Sequence, residues 1–258
     1  VPEIIKLNMS RLKNKVAVIT GGNSGIGFGI AQAFKTEGVR GAIVGRNQET
    51  LASAAAQLGD GFIAINADVT NLADLERVFA ATAEKFGKID VIVANAGAGT
   101  TGTVADTSEA DYDRLLDLNL KSVYFTVNKA LPYMNDGGSI ILIGSNAAHR
   151  AYPSFGLYGA AKAAVIFLAK VFSNDLLDRK IRANVITPGT TDTPAFDKFV
   201  PAEQIEAVKQ HFAEVMPIGR IGQPSDIGKT AVFLASDDSS FMLGAELLVD
   251  GGMTYLAK

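Results

Sequence analysis

The sequence predicts a single α/β domain, a Rossmann-type, doubly wound, seven-stranded parallel sheet with helices on both faces. Three observations predict it. Short apolar runs alternate with longer amphipathic stretches along the chain. A glycine-rich stretch, Thr20-Gly21-Gly22-Asn23-Ser24-Gly25-Ile26-Gly27, follows the first apolar run. The chain has 258 residues, 48% of them hydrophobic, enough for one large core.

Strands are expected at residues 16–20, 41–45, 62–66, 91–95, 139–144, 183–187 and 246–249. The first, Val16-Ala17-Val18-Ile19, has the continuous apolar character of a strand covered on both faces. Helices are expected between them, for example over residues 25–37, 72–86, 111–133, 157–177 and 226–234. Their starts carry local signals: Ser108-Glu109-Ala110-Asp111 resembles a capping box, Asn71 is placed to cap the third strand's following helix, and Pro224 precedes the last. No internal repeat interrupts the pattern. One connection is long: residues 188–224 hold Pro188, Pro194, Pro201 and Pro217 around a helical run near 203–215, and a segment of that length is expected to act as a lid over a site. Residues 1–8 lack the apolar core of a signal peptide and read as an expression-derived or upstream extension, with Met9 as the natural start and 9–258 as the domain.

Composition removes several function classes. The formal net charge is −3, from 24 basic and 27 acidic residues, and no basic run is present to track a phosphate backbone, so no nucleic-acid partner is expected. The apolar segment 163–172 is short and carries Lys170, so no bilayer span is expected and a cytoplasmic protein is. With no cysteine and two histidines, His149 and His211, neither a disulfide nor a thiolate nor a zinc site is expected; the chemistry falls to hydroxyls, amines, carboxylates and a bound cofactor.

Tyr158 stands four residues before Lys162 and thirteen after Ser145. On a helix, residues four apart share a face, so an ammonium can sit beside a phenol and lower its pKa from about 10 toward the range of a useful acid or base. The glycines Gly21, Gly25 and Gly27 fall in a strand-to-helix turn, where missing side chains let backbone N–H groups approach a pyrophosphate and the helix dipole adds to the attraction. In such sites an acid about 20 residues on binds the adenosine ribose. That place is Gly45 here, followed by Arg46, and a guanidinium suits a 2′-phosphate, so NADP(H) is expected over NAD(H). Asp68, before Val69, is placed either to accept from an adenine amino group or to cap the helix near Leu72.

Taken together, Thr20 to Gly27, the Asn95-Ala96-Gly97 turn, Asn119 within Leu118-Asn119-Leu120, Ser145, Tyr158-Gly-Ala-Ala-Lys162, and Pro188-Gly189 leading to Thr193 resemble the short-chain dehydrogenase/reductase family over nearly the whole chain after Met9. Within it the chain is similar to bacterial NADPH-dependent carbonyl reductases and secondary-alcohol dehydrogenases, including Phe233 to Asp237 and Val249-Asp250-Gly251-Gly252. The resemblance implies that Tyr158 protonates a carbonyl oxygen as hydride arrives and that Ser145 bonds the same oxygen. Lys162 would lower the tyrosine pKa and hold the nicotinamide ribose, and Asn119 would hold a water linking the lysine to solvent. Thr193, with Pro188, Gly189 and Thr191, would hold the nicotinamide end. The family often has two asparagines before Ala-Gly; this chain has Ala94-Asn95. The family's common homotetramer, built on the helices expected at 111–133 and 157–177, is also implied.

Asn146, Ala147, Tyr152, Thr190 and Phe196 are expected to line the substrate pocket, small residues leaving space and aromatic ones walling it for a bulky or aromatic ketone or alcohol. His149, alone in its loop, is either a substrate contact or incidental. Two other functions remain open at this stage: reduction of a 3-oxoacyl group on an acyl-carrier protein, for which Arg150 is the one basic residue in the loop, and cofactor sensing without turnover.

Overall fold

A computed structural model of the chain describes residues 10–99, 101–196 and 200–256; the extension at 1–8, Met9 and positions 197–199 of the expected lid lie outside them. The seven strands are β1 (Val16–Thr20), β2 (Arg40–Gly45), β3 (Phe62–Asn66), β4 (Ile89–Ala94), β5 (Met134–Ile143), β6 (Arg182–Pro188) and β7 (Glu246–Val249). All pair in parallel in the order β3-β2-β1-β4-β5-β6-β7. The order reverses between β1 and β4, and the crevice beyond their C-terminal ends is where a doubly wound sheet binds ligands.

The helices are α1 (Gly25–Thr36), α2 (Gln48–Leu58), α3 (Leu72–Phe86), α4 (Glu109–Leu116), α5 (Ser122–Ala130), α6 (Gly156–Asp175), α7 (Ile205–Val215) and α8 (Pro224–Ala235). Successive strand residues point to opposite faces, so two cores form. Val18, Val44, Ile92, Leu142 and Val185 meet Phe79 of α3, Val127 of α5 and Val165 of α6. Ile19, Ile43, Val93, Ile141 and Ile186 meet Ile30 and Phe34 of α1 and Ile227 and Leu234 of α8. The expected caps form: Asn71 accepts from Ala73 N and Asp74 N, Ser108 accepts from Asp111 N, and Pro224 opens α8 at a position where no amide donor is needed.

Three expectations are corrected. The helix expected over 111–133 is broken: α4 ends at Leu116, Asp117–Lys121 is a π-helical turn, and α5 resumes at Ser122. β4 closes at Ala94, so Asn95 belongs to the following turn, and β5 begins at Met134, earlier than expected, with a register shift against β4 between Ile89 and Val91. Finally, α6, at 20 residues, is long and apolar enough by composition to cross a bilayer. Its residues Val165, Ala169 and Phe172 pack in the sheet core, as in a core helix.

The long connection after β6 leaves from a stem. Thr191 and Gly222 form a parallel bridge, with Gly222 N donating to Thr190 O at 2.9 Å and Asp192 N to Gly222 O at 2.8 Å. Beyond it, Lys209 on α7 pairs with Asp192 at 2.9 Å and Phe212 meets Phe196 at 6.2 Å between ring centroids. Thus α7 is fastened to the segment that runs past the crevice.

Candidate active site

The crevice over β1 and β4 is a cavity of about 480 Å³. Its floor is the glycine-rich turn. Gly21 and Gly25 have φ of +64° and +52°, a region L side chains disfavour. A Cβ on Gly25 would stand 3.2 Å from Thr193, so the lid segment lies directly on the turn. Gly27 serves a different end: a Cβ there would fall 2.2 Å from Gly21 O, and the residue packs the helix against the turn rather than lining the cavity. Asn95 holds the opposite wall, its Nδ2 donating to Thr20 O at 2.9 Å and Gly21 O at 3.2 Å while its N donates to Thr20 Oγ1 at 3.0 Å.

Lys162 is buried, and its Nζ donates to Ile143 O at 2.9 Å. Burial lowers its pKa from 10.5 to about 8, because desolvation penalises the ammonium. The same cause raises the Tyr158 phenol, with a hydrogen bond from Ser145 offsetting part of the rise. The phenol thus stands above its ordinary value where Lys162 was expected to bring it down: burial sets the direction, and the ammonium lies 5.7 Å from the ring centroid. At neutral pH the phenol holds its proton. Ser145 and Tyr158 are brought together by Gly159, whose Cβ position is 2.5 Å from Ala147 O, a closeness only glycine permits between α6 and the turn after β5.

Asn119 sits in the π-helical turn, a distortion frequent at functional sites. Its Nδ2 donates to Ala98 O at 3.0 Å and Leu115 O at 3.1 Å, and its Oδ1 accepts from Ala98 N at 3.2 Å. Both side-chain donors are thus committed to main-chain carbonyls, and the side chain braces the turn at 95–98. A Cβ on Gly97 would lie 2.8 Å from Asn119 Oδ1 and 3.5 Å from Lys162 Nζ, so a bare backbone is what lets the turn, the asparagine and the lysine meet.

Of the residues the sequence singled out, Gly21, Asn23, Ser24, Gly25, Ile26, Arg46, Val69, Asn95, Ala96, Gly97, Ser145, Tyr158, Lys162, Pro188, Gly189 and Thr193 all line this cavity. Asn119, Asp68 and Thr191 do not. Asp68 is engaged locally, accepting from Thr70 N at 2.9 Å and Thr70 Oγ1 at 2.8 Å, with Arg46 at 3.7 Å. Burial acts to raise its pKa, and the Thr70 bonds and Arg46 outweigh it, so the carboxyl stays below its ordinary value. The helix cap in question is Asn71, not Asp68. Thr191 Oγ1 donates to Gly189 O at 3.0 Å and belongs to the lid stem.

None of the five expected substrate-pocket residues lines the cavity. Asn146 donates from Nδ2 to Tyr152 Oη at 3.0 Å, and Tyr152 faces a neighbouring groove of about 680 Å³ shared with Val104, Tyr112 and Leu157. Ala147 O is spent against Gly159, Thr190 borders a smaller cavity near Met216 and Ile218, and Phe196 packs on Phe212. The reason is shared: these loops turn their side chains toward other loops, which sequence order does not reveal. His149 bonds Glu246 of β7 at 2.6 Å and lies outside the cavity. Residues missed in the sequence include Asn47, Leu118, Ile143, Pro194 and Ala195. Ile143 contributes a carbonyl, for which no side-chain signal exists; Asn47 and Ala195 were legible as neighbours of Arg46 and Thr193.

The glycine cradle with its helix N-terminus, the bare Gly97 and the buried lysine fit a dinucleotide, whose pyrophosphate needs close main-chain approach. A hydroxyl, a protonated phenol and an ammonium on one wall of such a cavity define an oxidoreductase site. The chain matches the family model described as Enoyl-(Acyl carrier protein) reductase over residues 21–254. It is 41% identical over 250 residues to the oxidoreductase asL5 of Sarocladium schorii, covering 96% of this chain and 99% of that protein. It is 37% identical over 251 residues to the NADP-dependent (R)-specific alcohol dehydrogenase of Lentilactobacillus kefiri, covering 95% and 98%. Among solved structures, a short-chain dehydrogenase/reductase described as glucose/ribitol dehydrogenase from Brucella melitensis superposes with a TM-score of 0.89 at 32% identity, covering 96% of this chain and 99% of that one. The chain belongs to the short-chain dehydrogenase/reductase family, whose members are oxidoreductases acting on alcohol and carbonyl groups.

Proposed function

We propose that this protein transfers hydride between NADPH and a ketone or secondary alcohol, with bulky or aromatic ketones preferred. The observation that carries the reading is Ser145, Tyr158 and Lys162 lining the same cavity as the glycine cradle of Gly21 and Gly25. A nicotinamide dinucleotide held there supplies the hydride. The protein supplies the proton and its placement. Ser145 donates a hydrogen bond to the carbonyl oxygen and fixes its position, and Tyr158, kept protonated by burial, delivers the proton to that oxygen. Lys162, with a pKa of about 8, remains an ammonium through neutral pH, so it favours the phenolate left behind and is available to the ribose hydroxyls. In the reverse direction the same groups remove the alcohol proton.

The preference for NADPH is supported by Gly45 and Arg46 at the cavity end, where β2 ends without a carboxylate of its own and a guanidinium is present, with Asp68 3.7 Å from it, and by the NADP dependence of the Lentilactobacillus kefiri relative. Preference for bulky ketones is supported by Phe155, edge-on to Tyr158 at 6.1 Å, and by the apolar groove of Val104, Tyr112, Tyr152 and Leu157 beside it. Assembly as a homotetramer is supported by Tyr124 on α5 and Phe167 on α6, large apolar side chains left exposed on the helices the family uses for association. A cytoplasmic location accompanies this reading.

A second reading is reduction of a 3-oxoacyl group on an acyl-carrier protein; the family model's description names an enoyl group on the same kind of carrier. Against it, Arg150, though exposed, is engaged within the chain, donating to Met253 O at 3.0 Å and lying 5.6 Å from the Tyr152 ring. The test is the initial rate of NADPH and NADH oxidation with a bulky aromatic ketone, a cyclic ketone, a short aliphatic ketone and an acetoacetyl thioester. NADPH-linked turnover of the bulky ketones upholds the proposal. A thioester preference replaces it with the carrier-protein reading, and tight NADPH binding with no turnover of any substrate makes the protein a cofactor sensor.

A further inference from the structure

Asn23 lies across the end of β2. A Cβ on Gly45 would stand 2.5 Å from Asn23 Oδ1, 2.7 Å from its Cγ and 3.3 Å from its Cβ. The first two separations are far inside van der Waals contact, so any side chain at position 45 has to displace the carboxamide. The carboxamide is fastened: Asn23 Nδ2 donates to Thr50 Oγ1 at 2.8 Å, and Thr50 N donates to Asn47 Oδ1 at 2.9 Å in the capped first turn of α2. The main chain has no room to yield either. Gly22 N donates to Val44 O at 3.1 Å, pinning the turn to the end of β2, and a Cβ on Gly22 would meet Ile43 at 2.8 Å. Asn23, Gly45, Arg46 and Asn47 line the same end of the cavity.

We propose that Asn23 is a specificity-determining residue, a steric gate that keeps the end of β2 free of an acidic side chain and so reserves that end of the cavity for a cofactor bearing a 2′-phosphate beside Arg46. The inference rests on the NADPH reading above and deepens it. An aspartate at position 45, the group that would accept from an unphosphorylated ribose, needs the volume the carboxamide fills. Introduced alone it has to displace the carboxamide from its place against Thr50. Removal of the carboxamide is therefore a precondition for that aspartate to work.

The test compares wild type, Gly45→Asp, Asn23→Ala and the double variant, measuring kcat/KM with NADPH and with NADH, and the unfolding midpoint of each protein. Gly45→Asp alone is expected to lose about tenfold or more with NADPH, as an overpacked site would, and to gain less than about threefold with NADH. Adding Asn23→Ala is expected to raise NADH use about tenfold beyond the Gly45→Asp value and to restore the midpoint that Gly45→Asp lost. The proposal is overturned if Gly45→Asp by itself reaches the NADH efficiency of the double variant, or if the two midpoint losses simply add. A wild type that prefers NADH overturns the NADPH reading itself, and the selectivity role of Asn23 with it; the midpoint cycle reads the packing of the pair separately.

Discussion

Replacing Lys162 with methionine is expected to stabilise the fold at neutral pH while abolishing activity, and the size of the effect follows from burial. The lysine pKa falls from 10.5 to about 8, and at about 1.36 kcal/mol per pH unit that depression is a penalty of about 3 kcal/mol on the buried ammonium. Lys162 is almost wholly inaccessible, so solvent screening takes little from this figure. The sign runs in one direction. Below pH 8 the lysine is protonated in folded and unfolded chains alike, and the folded state bears the full penalty. Between pH 8 and 10.5 the folded state releases its proton while the unfolded state keeps it, so stability rises with pH. Above 10.5 both are neutral and the penalty is gone. Methionine has similar reach and no charge, but forfeits the hydrogen bond to Ile143 O, about 1 kcal/mol. Lys162→Met should thus be about 2 kcal/mol more stable than wild type at pH 7, with the advantage vanishing before pH 10.5. Urea unfolding of both proteins at one fixed protein concentration, from pH 7 to 10.5, measures the difference. Other lysines and tyrosines titrate in both proteins and cancel in the subtraction. A difference that stays flat with pH, or a variant less stable at pH 7, would refute the burial argument.

Three further outcomes are expected. Tyr158→Phe should lower kcat by about 10² to 10⁴ while the NADPH dissociation constant, read by fluorescence, stays within about twofold, since the phenol moves the proton and holds none of the phosphates; retention of most activity would remove Tyr158 from the acid/base role. Arg46→Asp should weaken NADPH use by about 10- to 100-fold, the loss of a charge-assisted bond, and leave NADH use the less affected of the two; an unchanged cofactor ratio would make Arg46 a bystander. Asp192→Asn, which removes a partner of Lys209 at the lid stem, should raise KM for the ketone by about two- to fivefold with kcat little changed, and the difference should fade in high salt, as befits a partly exposed pair; a KM that does not move would separate the ion pair from substrate binding.

Much of the molecule was legible in order. The strand-helix alternation is visible because parallel strands covered on both faces must be apolar throughout, and Val16 to Ile19 and Ile140 to Ile143 could take few other places. The glycine turn, Ser145, Tyr158 and Lys162 were legible because their chemistry requires fixed residue types at fixed spacings. What was not legible is of another kind. The break in the helix at Asp117–Lys121 leaves no mark in periodicity, since Asn119 leaves the α-helical path to meet Ala98, a residue 21 positions away in the chain. None of the five expected substrate residues reaches the cavity of Ser145 and Tyr158, and Tyr152 borders the neighbouring groove instead, because a loop side chain is aimed by the loops packed against it.

The sequence alone therefore determined the fold class, the crevice and the candidate groups gathered in it, all of which depend on local pattern and residue chemistry. Only the tertiary structure decided their electrostatic state and their neighbours. Tyr158 and Lys162 are four residues apart on one helix, a geometry that by itself brings the phenol pKa down; the surrounding core reverses that balance by desolvating both groups. In the same way the 2.5 Å between Asn23 Oδ1 and the vacant Cβ position of Gly45 joins the glycine-rich turn to the end of β2, 22 residues apart in the chain. Burial and close contact are properties of what packs around a residue, and no residue carries that information in its own place in the sequence.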